Sequence, residues 1–163
     1  VSATLDQVRS MMVDAAQAKG LTIEVDYDNV PIWLRGDQTR IRQALINYLS
    51  NAIKFTESGE IVLQVDLEEE SANEVLLRFS VCDTGIGLTP LQQTRLFQSF
   101  QQADSSTPRD YGGTGLGLAL VYSIMEDLGG SIQLTSPLQS EPRPGTRFTL
   151  QLPESSYGDA FDV

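Results

Sequence analysis

The chain has no histidine and a single cysteine, Cys82, among its 163 residues. The first absence excludes imidazole acid–base catalysis, imidazole metal ligands and phosphorylation of the chain on a histidine of its own. The second excludes an internal disulfide framework, which suits a reducing compartment. Cys82 sits in an apolar, strand-like run, where a buried small hydrophobe is expected. Basic residues are scarce: 11 lysines and arginines face 22 aspartates and glutamates, for a net charge of −11. Such a field excludes nucleic acid and anionic membrane surfaces as expected partners, because both need basic patches. A polyphosphate would have to be held by local devices: backbone N–H groups, one or two placed cations and a bridging Mg²⁺. No apolar run approaches the roughly 18 residues that cross a bilayer. The first residues lack the basic and apolar regions of a signal peptide, so no direct membrane contact is expected of this segment.

What is present suits one domain, expected over residues 1–153, with an aperiodic acidic tail or linker over 154–163. Val1, Leu5, Val8, Met12 and Ala15 recur at helical spacing as far as Ala18, and Gly20 closes that segment. Ile23, Val25 and Tyr27 alternate like a half-buried strand. Residues 38–55 read as a second helix, with Asp37 as its N-cap. Strands are expected over 61–67 and 75–82, turning through the acidic stretch Glu68–Glu70 and residues 71–73. A short helix from Pro90 to about Phe97 leads into a polar stretch, 98–111, read as a mobile loop. A third long helix covers 116–128 and ends at Gly129–Gly130. Ile132 and Leu134, then Phe148, Leu150 and Leu152, mark two more strands. The mixed order predicts an α+β, two-layer sandwich, a sheet with helices on one face.

Three stretches carry chemistry. Arg40, Gln43, Asn47, Asn51 and Lys54 fall on one stripe of the second helix, opposite Ile41, Leu45, Tyr48, Leu49 and Ala52. Asparagine is a mediocre helix former, so two on a merely solvated face would be odd choices. An Asn amide oxygen suits Mg²⁺, and Lys54 can meet a phosphate. Next, Val81-Cys82-Asp83-Thr84-Gly85-Ile86-Gly87-Leu88 sets a carboxylate at the end of an apolar strand, before two glycines. An ordinary capped turn would look similar. The Asp-Thr-Gly of a homodimeric aspartic protease would leave the other glycines unexplained. The reading preferred here places Asp83 at a pocket floor, accepting from an exocyclic amino group. Last, Gly112-Gly113-Thr114-Gly115-Leu116-Gly117-Leu118 opens the third helix, where N–H groups and the helix dipole favour an anion. It is neither a P-loop nor a Rossmann turn.

In order, Asn-x-x-x-Asn-Ala-x-Lys-Phe-Thr at 47–56, Asp-x-Gly-x-Gly at 83–87, Phe97-x-x-Phe100, Gly-x-Gly-x-Gly at 113–117 and Gly145-Thr146 resemble the N, G1, F, G2 and G3 boxes of sensor histidine kinases. The resemblance covers nearly the whole chain. Phe100-Gln-Gln-Ala-Asp104 and Arg109 resemble the hybrid, multi-domain branch. The resemblance implies a Bergerat ATP-binding fold with a mobile ATP lid, binding ATP and Mg²⁺. Asn51 would be the Mg²⁺ ligand and Asn47 its support. Lys54 would contact a phosphate, and Phe55 would pack near the adenine. Asp83 would accept from the adenine amino group, with Thr146 assisting through a water. Gly85 and Gly87 would let the chain pass close to the nucleotide. Gly113, Thr114, Gly115, Leu116 and Gly117 would offer N–H groups to the phosphates, while Phe97 and Phe100 anchor the lid.

Two departures qualify that picture. ATP-hydrolysing relatives carry a water-activating glutamate where this chain has Asn47, which favours transfer to a protein acceptor over hydrolysis. Many relatives carry a cation where Gln102 stands, and Arg109 is the expected substitute. The implied partners are a dimerisation and histidine phosphotransfer domain of the same kinase and, downstream, a response-regulator receiver domain. The implied setting is cytoplasmic, with any membrane anchor elsewhere in a longer protein. A Bergerat-fold serine kinase and a catalytically silent nucleotide sensor are the alternatives. The Phe97/Phe100 pair and the full set of phosphate and Mg²⁺ residues speak against them.

Overall fold

The computed structural model describes residues 1–27, 30, 34–71, 74–101, 116–136 and 145–156. In chain order they form α1 (Ser2–Ala18), β1 (Leu21–Asp26), β2 (Leu34–Arg35), α2 (Gln38–Phe55), β3 (Gly59–Glu70), β4 (Glu74–Asp83), α3 (Pro90–Gln101), α4 (Leu116–Asp127), β5 (Ser131–Thr135) and β6 (Thr146–Ser156). The six strands make one mixed sheet in the order β1-β3-β4-β6-β2, with β5 also paired to β6. Only β1 and β3 run parallel; the other pairs are antiparallel.

Strand alternation decides which side becomes the core. Ile61, Leu63 and Val65 of β3, Val75, Leu77, Phe79 and Val81 of β4, and Phe148, Leu150 and Leu152 of β6 are buried on one face. Leu5, Val8 and Ala16 of α1, Ile41, Leu45, Tyr48 and Leu49 of α2, and Val121 and Met125 of α4 join the same cluster. Each fully buried leucine of this kind contributes about 2 kcal/mol relative to exposure. Tyr48 stacks on Phe148 at 4.6 Å between centroids. Its buried hydroxyl has no hydrogen-bond partner among the described residues, and burial pushes the phenol above its ordinary range. The other sheet face is polar: Arg78 meets Asp66 at 3.2 Å and Glu68 at 3.0 Å, and Gln151 donates to Glu68. The architecture is the α+β sandwich expected.

Helix ends are held by identifiable groups. Asp37 accepts the Arg40 N–H at 3.1 Å, as an N-cap should. At the other end of α2 the Lys19 ammonium donates to the carbonyls of Ile53, at 2.6 Å, and Lys54, at 3.2 Å. It thereby satisfies two orphan acceptors at the negative pole of the helix. Helix α4 closes in a Schellman motif: the Gly130 N–H bonds the Met125 carbonyl and the Gly129 N–H that of Glu126. An Arg40–Asp127 ion pair at 2.9 Å joins the start of α2 to the end of α4.

Several expectations needed correction. In α1 the buried position is Ala16, with Ala15 exposed, because steps of 3, 4 and 4 from Leu5 land on 16. Tyr27 lies past the end of β1 and is exposed. Glu68–Glu70 belong to β3, across a bulge between Leu67 and Glu69, and not to the turn; residues 72 and 73 lie outside the described residues. Helix α3 continues to Gln101, so 98–101 are helical and not loop; the remainder of the expected lid, 102–111, lies outside the described residues. Strand β6 runs to Ser156, past Pro153, because Ser155 and Ser156 pair with β2. Pro153 falls between the stretches of β6 that pair with β5 and β2, a place where a missing N–H is tolerated. Cys82 is half-buried on the polar face and accepts from the Arg147 guanidinium at 3.0 Å. Among the described residues no helix is long and apolar enough to cross a membrane.

Candidate nucleotide site

Four pieces of chain converge beyond one end of the core: the last turns of α2, the loop after β4, the start of β6 and the first turn of α4. The register puts Asp83 opposite Ile61 on one side and Thr146 on the other. Asp83 therefore projects on the core face of the sheet, at its margin, and only 8% of it is exposed. Burial raises the carboxyl above its ordinary value, while N–H groups of Gly85 and Thr146 pull it down. The Gly85 N–H reaches Oδ1 at 2.8 Å. A carboxylate can accept about four hydrogen bonds, so capacity remains for an outside donor.

The loop that follows is clamped. Gly145 N–H bonds the Gly85 carbonyl at 3.0 Å, and Ile86 N–H points to the Phe55 carbonyl at 3.4 Å. A Cβ on Gly85 would stand 2.5 Å from that carbonyl, 2.8 Å from Asp83 Oδ1 and 2.9 Å from Thr56 Oγ1, so no side chain fits. Gly87 has φ +68°, which other residues rarely adopt. Phe55 and Ile86, joined by that backbone bond, are both exposed and apolar. The Lys54 ammonium lies 5.2 Å from the Phe55 ring centroid, a cation–π distance.

On the inner turns of α2, Asn51 Nδ2 donates to Asn47 Oδ1 at 3.5 Å, and both residues are half-buried. Asn47 lies against Gly117 in the first turn of α4. The structure thus brings together Asn47, Asn51, Lys54, Phe55, Asp83, Gly85, Gly87, Gly117 and Thr146, with Leu116 opening α4. Arg109, Gly113, Thr114 and Gly115 lie outside the described residues, as do the side chains of Phe97 and Phe100.

Sequence reasoning missed two contributors, Ser136 and Gln93, and gave Thr56, which closes the 47–56 motif, no role of its own. Ser136, just after β5, accepts the Leu88 N–H at 2.7 Å and donates to the Gly145 carbonyl at 2.9 Å. Its oxygen is also 3.1 Å from Thr146 Oγ1. Because Ser136 spends its only proton on Gly145, Thr146 is the donor in that last contact and offers only lone pairs to the site. Gln93 of α3 donates to the carbonyls of Leu88, at 3.1 Å, and Ser136. Thr56 is fully buried beside Gly85, its hydroxyl unpartnered among the described residues. Ser136 and Gln93 lie outside every motif and carry no signal that could have found them, whereas Thr56 ends the 47–56 motif.

Comparison with known proteins agrees with this geometry. The family described as "Histidine kinase-, DNA gyrase B-, and HSP90-like ATPase" matches residues 36–156. The sensor protein GacS of Pseudomonas syringae pv. syringae is 43% identical over 154 residues, 93% of this chain and 16% of that protein. The signal transduction histidine-protein kinase BarA of Escherichia coli K12 is 38% identical over 146 residues, 89% of this chain and 16% of the relative. This chain therefore spans about a sixth of the length of these curated relatives. Among solved structures, full-length ShkA in complex with AMPPNP superposes with a TM-score of 0.74 at 32% identity, over 94% of this chain and 30% of that one.

Proposed function

The chain belongs to the histidine kinase-, DNA gyrase B- and HSP90-like ATPase family, and from that premise we propose that it binds Mg-ATP and transfers the γ-phosphoryl group to a histidine on a separate dimerisation domain. The observation that carries the reading is the pairing of a buried, acceptor-only Asp83 at one end of the site with an amide pair, Asn47 and Asn51, at the other. The first end suits the exocyclic amino group of adenine, flanked by Phe55 and Ile86. Thr146, whose hydroxyl proton is committed to Ser136, would receive a bridging water. The second end suits phosphates and their metal.

Asn51 fits a hard cation because Asn47 occupies the N–H side of its amide and leaves the oxygen available. Among the described residues no cluster of three carboxylate or thiol ligands stands ready to hold a metal. That is consistent with Mg²⁺ carried largely by phosphate oxygens, with one protein ligand. When bound, the ion would neutralise charge on the phosphates. Lys54 would contact a phosphate oxygen. The N–H groups of Gly113, Thr114, Gly115, Leu116 and Gly117, with Arg109 as the cation in place of Gln102, would hold the rest. Phosphoryl transfer is mostly positioning and charge neutralisation, which such a set can supply. Asn47 cannot deprotonate water, which favours a protein acceptor over hydrolysis. The acceptor histidine, the receiver domain beyond it and a cytoplasmic setting belong to this proposal, as in the sensor kinases that the chain resembles.

Titration calorimetry with ATP tests the site. Wild type should bind in Mg²⁺ and at least about tenfold more weakly in EDTA, and Asn51→Ala should erase the difference. Equal affinity of the wild type in both conditions would remove Asn51 from the metal.

A further inference from the structure

Gly117 stands in the first turn of α4, where glycine costs about 1 kcal/mol relative to alanine. Donating a backbone N–H does not require glycine, since every residue but proline does so. The surroundings supply a reason. A Cβ at Gly117 would lie 2.6 Å from Asn47 Nδ2, 2.7 Å from Oδ1 and 3.0 Å from Cγ. All three nearest atoms belong to one amide, which meets the glycine end-on, its nitrogen and oxygen both nearer than the carbon that carries them. Ordinary contact begins at about 3.4 Å, so even a methyl group would push the amide aside. The same amide accepts from Asn51. At the far end of α4, Asp127 joins Arg40 at the start of α2 at 2.9 Å, so the two helices run in opposite senses.

We infer that Gly117 is a positioning residue: its bare backbone is the seat of the Asn47 amide, and through Asn47 it sets the orientation of Asn51. The inference rests on the Mg-ATP reading given above. It assigns Gly117 a role that depends on its missing side chain and not on its N–H. It also ties the opening turn of α4 to the amide pair on α2, so that a shift of one must turn the other. Because the obstruction is a short side chain end and alanine favours helix, Gly117→Ala should fold while leaving Asn51 misaligned.

The test is a double-mutant cycle on this chain, with ATP titrated in Mg²⁺ and in EDTA. Gly117→Ala should weaken binding about tenfold in Mg²⁺ and less than about twofold in EDTA, a split that general loosening would not produce. Asn47→Ala should also weaken Mg-ATP. In that background, where the methyl finds room, adding Gly117→Ala should change affinity less than about twofold. Additive losses, equal losses with and without metal, or no loss in Gly117→Ala would overturn the inference. If Gly117→Ala alone does not fold, the double variant must, since it removes the collision; failure of both places the obstruction elsewhere and also overturns it. A wild type that does not bind Mg-ATP at all overturns the site reading first, and this inference with it.

Discussion

At the scale of single residues, the role proposed for Asp83 is set against stability. Its burial at the sheet margin disfavours the ionised form, and the N–H groups of Gly85 and Thr146 offset only part of that cost, since the carboxyl still stands above its ordinary value. Between the unfolded and the raised folded value, the native chain holds a proton that the unfolded chain has lost. Stability therefore increases as pH falls through the folded value and stops increasing near the unfolded one. Above that window both states are ionised and the native state carries the whole desolvation cost. Asp83→Asn should accordingly raise the melting temperature of the ligand-free protein at pH 7 and flatten this acid dependence. The asparagine keeps an oxygen for Gly85 and turns an N–H toward the ligand, so ATP affinity should fall at least about tenfold. Wild type should prefer ATP to GTP, because a carboxylate repels the guanine carbonyl. Thermal melts across pH 4–8 and calorimetry with both nucleotides check these points. A less stable variant that still binds ATP would refute the assignment.

At the scale of elements, α2 carries most of the site, and its last turn is fixed from outside the helix by Lys19, which lies upstream of the matched segment 36–156. Replacing the ammonium leaves two carbonyls without their donor. Lys19→Met should therefore cost about 1 kcal/mol in urea denaturation, and Lys19→Arg should recover part of it. A Lys19→Met variant as stable as wild type would mean that water satisfies those carbonyls equally well. Helix α2 was also the most legible element: cap, amphipathic stripe and end are local, and the structure reproduces residues 38–55. What escaped reading depends on partners distant in sequence. Glu68 joins a strand because Arg78 and Gln151 neutralise and bond it across the sheet. The two-residue β2 exists only as the partner of Ser155 and Ser156. The site divides in the same way. Asn47, Asn51, Asp83, Gly85 and Gly87 sit in dense local motifs, whereas Ser136 and Gln93 act through loop contacts that no spacing announces.

At the scale of the molecule, a chain with net charge −11 is proposed to hold a polyanion. Under that proposal the attraction must be local: Asn47 meets the first turn of α4 at Gly117, and Asn51 and Lys54 follow it along α2. The histidine count of zero has a direct consequence: this chain cannot label itself on histidine. The remaining chemistry sets the rest of the expectation. Asn47 is an amide seated on Gly117, with no proton affinity to offer an attacking water, so hydrolysis without an acceptor should be slow. Asn47→Glu introduces a carboxylate at that point and should raise hydrolysis, while disturbing the seat and weakening Mg-ATP. Mixed with labelled ATP and a separately supplied histidine-bearing dimerisation domain from its own protein, the wild-type chain should place acid-labile, base-stable label on that domain. Asn51→Ala should abolish the transfer, because phosphoryl transfer depends on neutralised and aligned phosphates more than on any covalent help from the enzyme. Fast ATP hydrolysis that ignores the acceptor, with no label on the helical domain, would make this chain an ATPase whose amide pair serves some other end.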